Sequence, residues 1–352
     1  MTSSICIVAT GARTPLGLAA PPSAAAVRAG ISALGDHPFM VDQVGDPMPG
    51  AVDAEIDPHI IGPERFLLLA ETALSEACTP LQSVRANELR LPVFLGLPAI
   101  RPGFTEHDAL TIQFGLSRYK GLPQSLGDVQ VFPHGHAAGF SALAAAITQL
   151  KNGAIEACLV GGVESYFHAD TMEWLDANRQ LAGSVSRSGF VPGEGAGCCL
   201  LMAEQVMARF GLKPLARVSA VATGEETKLL KTSDTCLGEG LSETVRIAVR
   251  GLRLPEERVN DIFCDINGER YRNEEWGFVC LRLSQYFDDP TTYRSPAESW
   301  GDMGAASGPL FAMLVCQAYA RGYSKGPNAM LWASSEGGQR GAAVLADSGL
   351  IF

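Results

Sequence analysis

"HGHAAGFSALAAA", residues 134–146, is matched later in the chain by "GDMGAASGPLFAM", residues 301–313. Each stretch has a glycine, one polar side chain, and then small residues that lead into an apolar run. Small residues at a helix entrance let backbones approach closely, and an apolar run with no polar face is what a helix buried on all sides requires. The two stretches therefore predict two central helices, about 138–151 and 305–321. Aligned on Gly135 and Gly301, they place His136 and Asp302 in equivalent positions, so that both helix N-termini face one pocket.

The flanking sequence repeats in the same order. Val-Ala-Thr-Gly occurs at 8–11 and again at 221–224. In the first half a helix is predicted over 63–77, opened by a proline at the first turn and a glutamate beside it. Apolar residues at 66, 69, 70, 73, 74 and 77 form one face of it. A strand over 91–97, an irregular segment, the first central helix and a strand over 156–162 complete this half. The second half gives a helix over 242–252, a strand over 261–268, an irregular segment, the second central helix and a strand over 328–335. Continuous apolar strands alternating with helices indicate an α/β fold with sheets covered on both faces. The halves are expected to divide at 1–207 and 208–352.

Composition narrows the function classes. The 352 residues are 47% hydrophobic and 18% charged, within the range of a compact globular protein with a large core. The net charge is −11 and the isoelectric point about 5.1. No basic face is visible, which argues against a nucleic-acid partner. The longest uncharged run, Met303–Ala320, holds Gly, Pro, Gln and Tyr and is read as the second central helix, not as a membrane span. The nine cysteines lack CxxC spacing and sit mostly in apolar runs, as in "EACLVGG" and "GCCLLM". They read as reduced, buried residues of a cytoplasmic protein, since no signal peptide precedes the first strand. Cys236, in "TSDTCLGEG", falls in a predicted loop and reads as an exposed thiol.

With these residues in view, the chain resembles the β-ketoacyl-acyl-carrier-protein synthases of the thiolase superfamily. "SGFVPGEGAGCCLLM" (188–202) resembles the family's G-F-V-x-G-E-G-A-G stretch. "LKNGAIEACLVGGVES" (150–165) resembles the strand and glycine pair behind the nucleophile helix, and "SEGGQRGAAVL" (335–345) the C-terminal glycine loop. The resemblance covers nearly the whole chain. It implies a thiolase-like five-layer α-β-α-β-α sandwich of two similar halves, acting in fatty-acid or polyketide metabolism without a cofactor. The implied partners are a second copy, or a heterodimeric ketosynthase, together with an acyl carrier protein or acyl-CoA.

Residue by residue, the resemblance implies an altered site. The family's cysteine nucleophile falls on His136, counted back from Gly161-Gly162. The first catalytic histidine falls on Asn267, in "INGERY", and the second on Asp302, in "GDMGAASG". The family's lysine falls on Ala297, and the phenylalanine of its glycine loop on Glu336, ahead of Gly337 and Gly338. Gly135, Glu336, Gly337 and Gly338 are the expected oxyanion-hole and pocket residues. The chain is also short between about Pro98 and Gln130, where the family builds dimer contacts and part of the acyl pocket.

Two functions then compete. One is a non-condensing homologue or partner subunit of a ketosynthase, a pseudoenzyme in which His136, Asn267 and Asp302 fill an abandoned pocket. The other is an acyltransferase or thioester hydrolase in which Asp302 orients His136 as a general base. For that role the helix N-terminus should favour a neutral imidazole at His136. His134 and His136 form an H-x-H pair that, with Asp302, offers a metal-ligand set, although no metal is expected. His168 reads as structural, and Arg118 and Lys120 are the nearest cations to an acidic carrier.

Overall fold

The computed structural model describes residues 4–84, 88–122, 124–184, 186–229 and 232–349. In the first half β1 (Ile5–Arg13) leads to α1 (Ala20–Arg28) and a small hairpin, β2 (Gly35–Val41) with β3 (Pro47–Gly50). There follow α2 (Gly62–Ala77), α3 (Thr79–Ser83), β4 (Arg90–Gly96), α4 (Glu106–Ser117) and β5 (Ser125–Phe132). The half closes with α5 (Ala138–Lys151), β6 (Ala157–Ser165), α6 (Ala169–Ala177) and β7 (Glu194–Ala203). After α7 (Glu204–Arg209) come β8 (Ala216–Glu225), α8 (Glu239–Val249), β9 (Asp261–Cys264) and α9 (Arg270–Leu283). The chain ends with α10 (Ala297–Trp300), α11 (Ser307–Ala320), β10 (Asn328–Ser334) and β11 (Gln339–Asp347).

Strand pairing displays the duplication. In the first half β4 runs parallel to β6, β6 antiparallel to β7, and β7 antiparallel to β1. In the second half β9 runs parallel to β10, β10 antiparallel to β11, and β11 antiparallel to β8. A short pairing of Cys6 and Ile7 with Arg217 and Ala216 joins the two sheets into one nine-stranded sheet in the order β5-β4-β6-β7-β1-β8-β11-β10-β9. Helices α5 and α11 lie between the halves and touch strands of both. Helices α2 and α4 cover the outside of the first half, and α8 that of the second, with α9 packed on it. These are the five layers of a thiolase-like α-β-α-β-α sandwich.

Burial follows the layers. Phe140, Leu143, Ile147, Leu310, Phe311 and Leu314 of the central helices sit in one core with inward residues of both sheets. Separate cores lie under α2 and α4 and under α8 and α9. The central helices approach the sheets closely because glycines face them. A Cβ on Gly162 of β6 would lie 2.3 Å from the Ala305 carbonyl oxygen. One on Gly197 of β7 would lie 2.8 Å from the Leu310 nitrogen. Within the family-like stretch, Glu194 accepts two bonds of 2.6 Å from the buried Arg65 guanidinium of α2.

Several expected elements change. The two segments read as irregular contain α4, β5 and α9. The strand expected over 261–268 stops at Cys264, and Asp265 onward forms the loop that carries Asn267. Apart from Cys236 and Cys280, the cysteines are buried. Cys236 is half-buried, not exposed, and its thiol pKa is raised by burial, despite a bond from the Gly238 N–H. Among the described residues no helix is long and apolar enough to cross a membrane.

Candidate active site

Both central helices open on one tight turn, Gly135–Ala137 before α5 and Gly304–Ala306 before α11. Each turn starts at a glycine with positive φ, +70° at Gly135 and +39° at Gly304, a conformation open to glycine because it lacks Cβ. The turn fixes the register between the halves at Gly135 and Gly304. The residue structurally equivalent to His136 is therefore Ala305, and the alignment of His136 with Asp302 is corrected. Asp302 lies ahead of its turn, where its Oδ1 accepts the Gly304 N–H at 2.7 Å and caps the entry to α11. Its backbone is pinned by the family-like stretch: Asp302 N–H donates to the Val191 carbonyl at 2.8 Å, and Gly193 N–H to the Asp302 carbonyl at 2.9 Å.

His136 and Asp302 nevertheless meet. His136 Nε2 is 2.9 Å from Oδ1 and 3.0 Å from Oδ2 of Asp302. Asn267 Nδ2 donates to Asp302 Oδ2 at 2.5 Å, and the Tyr166 hydroxyl to Oδ1 at 3.0 Å. The carboxylate thus lies against His136, Asn267, Tyr166 and the Gly304 N–H, in a residue that is 3% exposed. Burial alone would raise its pKa, but His136, Arg272 and the Asn267 bond hold it well below the usual carboxylate range.

The neutral imidazole expected at His136 is not what these surroundings favour. Burial disfavours the charged ring, yet the Asp302 carboxylate outweighs it and raises the pKa above 6.5, with Arg272 opposing. The expectation weighed only the helix terminus, whose influence is roughly 0.3–1 kcal/mol. Two unit charges about 4 Å apart in a partly screened interior interact by roughly 4 kcal/mol.

Arg272 was not anticipated. It lies on α9 with no side-chain exposure, and its Nη2 is 3.1 Å from His136 Nε2. Nη1 donates to Asp265 Oδ2 at 2.5 Å and to the Ser334 carbonyl at 2.8 Å, and Nε to Glu269 Oε2 at 3.3 Å. The run "ERYRNEE" reads as a solvated charged face. The signal present in it was the Glu269–Arg272 spacing of three with Asp265 just upstream, a set suited to enclosing one guanidinium.

A cavity of about 310 Å³ opens onto this cluster. Gly135, His136, Glu336 and Gly337 line it, whereas Asn267 and Asp302 lie behind His136 and do not. Gly338 is also absent from the wall; with φ +100° it closes the loop by donating to the Ser335 carbonyl. Arg101, Tyr166, Trp174 and Phe190 form other walls. Arg101 is paired with Glu164 at 2.6 Å, and its guanidinium lies 4.3 Å from the Tyr166 ring centre. Glu336, in the family's phenylalanine position, accepts from Gln180 at 2.8 Å.

Ser335, outside the expected set, ties the glycine loop to the turn before α5. Ser335 Oγ accepts the Ala137 N–H at 2.8 Å and donates to the His134 carbonyl at 2.5 Å. Among the described residues the N–H groups of His136 and Gly337 keep no intramolecular acceptor. His134 turns to Ser141 at 3.1 Å, and burial lowers its pKa. It does not converge with His136 and Asp302, so the H-x-H ligand set is not formed. Among the described residues the three-ligand grouping is instead Glu226, Cys236 and Glu275. His168 caps α6 by accepting the Asp170 N–H, a structural role. Arg118 lies over the Phe114 ring at 3.9 Å, and neither it nor Lys120 lines the cavity. Ala297 opens α10.

Residues 135–206 match the family model for the N-terminal domain of β-ketoacyl synthases. No curated protein sequence matches the chain. Among solved structures, the chain is similar to the ishigamide ketosynthase/chain length factor, with TM-score 0.81 and 14% identity over 99% of this chain and 100% of the other. It is also similar to a type II polyketide-synthase structure of an acyl-carrier protein in complex with its ketosynthase bound to the hexaketide, with TM-score 0.77 and 15% identity over 98% and 99%. A third is the ketosynthase of module 6 of the bacillaene synthase from Bacillus subtilis 168, with TM-score 0.74 and 15% identity over 99% and 72%.

Proposed function

From a chain that has the ketosynthase fold and carries a β-ketoacyl synthase segment over residues 135–206, we propose a non-condensing homologue that serves as a partner subunit of a ketosynthase. The observation that carries this reading is the chemistry at the entrance to α5. In the family this chain resembles, condensation runs through an acyl-enzyme on a cysteine thiol at that position, and the side chain present is an imidazole whose Nε2 lies against Asp302 and Arg272. Among the described residues no cysteine lines the cavity. The hydrogen-bonded set around Asp302 supports a polar cluster that stabilises the fold where catalytic groups would stand.

The partner role has its own support. Strand β5 is one edge of the nine-stranded sheet, and Leu110 and Phe114 of the adjacent α4 are 59% and 55% exposed. Arg90, Leu110, Phe114, Leu126 and Val129 line an open groove of about 850 Å³ along that edge. An unpaired strand beside exposed apolar side chains suits a second chain of the same fold, either another copy or a condensing ketosynthase.

One observation favours a second reading, thioester hydrolysis. The His136–Asp302 contact stands beside an open cavity that His136 and Gly337 both line; in this reading their N–H groups would receive the oxyanion. Here Nδ1 is the nitrogen left to activate water.

Incubation with acetyl-CoA and hexanoyl-CoA, with and without malonyl-CoA, separates the readings. We expect no mass increase on the intact protein, no condensation product, and no thiol release beyond that of His136→Ala. An acyl adduct or a condensation product overturns the proposal, and His136-dependent thiol release selects hydrolysis.

A further inference from the structure

One ring nitrogen holds either a proton or a lone pair. His136 Nε2 lies 2.9–3.0 Å from both oxygens of a carboxylate, which requires a donor, and 3.1 Å from an arginine Nη2, which requires an acceptor. Both demands cannot be met together. The ring's other nitrogen, Nδ1, has no hydrogen-bond partner among the described residues, and His136 lines the cavity with 10% of its side chain exposed. What happens at Nε2 therefore decides what the cavity meets at Nδ1.

We propose that Arg272 is a positioning residue for His136: it competes with Asp302 for Nε2 and so sets whether Nδ1 presents a proton donor or an acceptor to the cavity. With Asp302 dominant and the ring charged, both nitrogens carry protons and the cavity meets an N–H. With Asp302 dominant and the ring neutral, the proton stays on Nε2 and Nδ1 becomes an acceptor. With Arg272 dominant, Nε2 is the acceptor and Nδ1 again carries the proton.

The surroundings hold Arg272 against the ring. The charged groups that act on the ring from the second half are Asp302, Arg272 and Asp265. From the cavity side Arg101 and Glu164 form a 2.6 Å pair, and Glu336 and the Tyr166 hydroxyl are the other titratable groups on the wall. Among the described residues Arg272 is thus the one cation in direct contact with Nε2, and it is held by Asp265, Glu269 and the Ser334 carbonyl, so it cannot swing away. Loss of its charge leaves the carboxylates behind it facing the ring. Both effects stabilise the imidazolium and remove the acceptor from the cavity.

This proposal rests on the cavity over His136 being the working site, but its test needs no ligand or activity. Long-range ¹H–¹⁵N spectra of histidine-labelled protein report which ring nitrogen is protonated and its titration, with His136 assigned from His136→Gln. In the wild type Nε2 should keep its proton while Nδ1 titrates. In Arg272→Gln the titration should move up by about one pH unit or more, as removal of a contacting cation requires, and Arg272→Lys should bring it back toward the wild-type value. Asp302→Ala, which leaves Arg272 in place, should move the titration below that of an ordinary histidine and shift the proton of the neutral ring to Nδ1. A folded Arg272→Gln protein with an unmoved titration, or an Asp302→Ala protein that keeps its proton on Nε2, overturns the proposal. Thiol release is not read in this test, so failure of the function reading and failure of this inference are separately visible.

Discussion

The contact between His136 and Asp302 ties protonation to folding at a single pair of residues. The folded-state pKa of His136 lies above its ordinary 6.5, so its contribution is fully present below about pH 6.5 and is lost as pH rises through the raised value. The folded-state pKa of Asp302 lies below its ordinary 3.8; its contribution is present above about pH 4 and is lost as pH falls toward the depressed value. Between the two the pair is intact. Replacing His136 by Gln should therefore cost more stability at pH 6 than at pH 9, measured by urea unfolding at both values. An equal cost at both would mean that the ring is neutral throughout. His136 and Asp302 were both legible in the sequence because motif comparison assigns positions without requiring contacts. Arg272, Tyr166 and Ser335 were not, because each reaches the site from more than 130 residues away from the atom it bonds.

At the scale of elements, the close approach of the central helices to the sheets is the feature most sensitive to a single methyl group. Gly162 of β6 faces the tight turn that precedes α11, with the Ala305 carbonyl oxygen 2.3 Å from where a Cβ would sit. That atom is backbone and cannot rotate aside. Gly162→Ala should displace the turn and lower stability by roughly 1–3 kcal/mol, read from the shift in urea midpoint at unchanged slope. It should also disturb the Glu164 contact with the Ala305 N–H, 3.1 Å in the intact protein. The central helices were legible because small and apolar residues dominate them, with Thr148, Gln149 and Lys151 at the end of α5 and Gln317 and Tyr319 at the end of α11 as the larger polar exceptions. Helix α9 was hidden by its own chemistry. Its buried positions are Arg272, Glu275, Trp276, Val279 and Leu283, a helical spacing in which two members are charged. Arg272 is enclosed by acids, and Glu275 accepts from the buried Arg340 at 2.6 Å, so charge occupies places where a periodicity search looks for hydrophobes. Helix α4 was blurred in the opposite way, by apolar Leu110 and Phe114 on its outer face.

Over the whole molecule the duplication is nearly complete, and the departure from it lies at one edge of the sheet. β1, β7, β6 and β4 have counterparts in β8, β11, β10 and β9, but β5 has none. The edge at β9 is covered: the Arg294 N–H donates to the Ile262 carbonyl at 2.8 Å and Arg294 accepts from the Cys264 N–H at 3.1 Å. At the β5 edge the neighbour is α4, whose Leu110 and Phe114 face outward instead of closing the groove. A sheet edge left open beside two exposed apolar side chains is a liability for a monomer and an asset for a dimer. The short segment between Pro98 and Gln130 still builds α4 and most of β5. Sedimentation of the purified chain at micromolar concentration should show a dimer, and the double substitution Leu110→Lys with Phe114→Lys should convert it to a monomer with unchanged far-ultraviolet circular dichroism. Both side chains are already solvated in the single chain, so the substitutions cost the fold little, and a change in mass reports the interface. A wild-type monomer that sediments at twice its mass with a condensing ketosynthase added would assign the same edge to the heterodimer, and a dimer unaffected by the two lysines would place the interface elsewhere on the molecule.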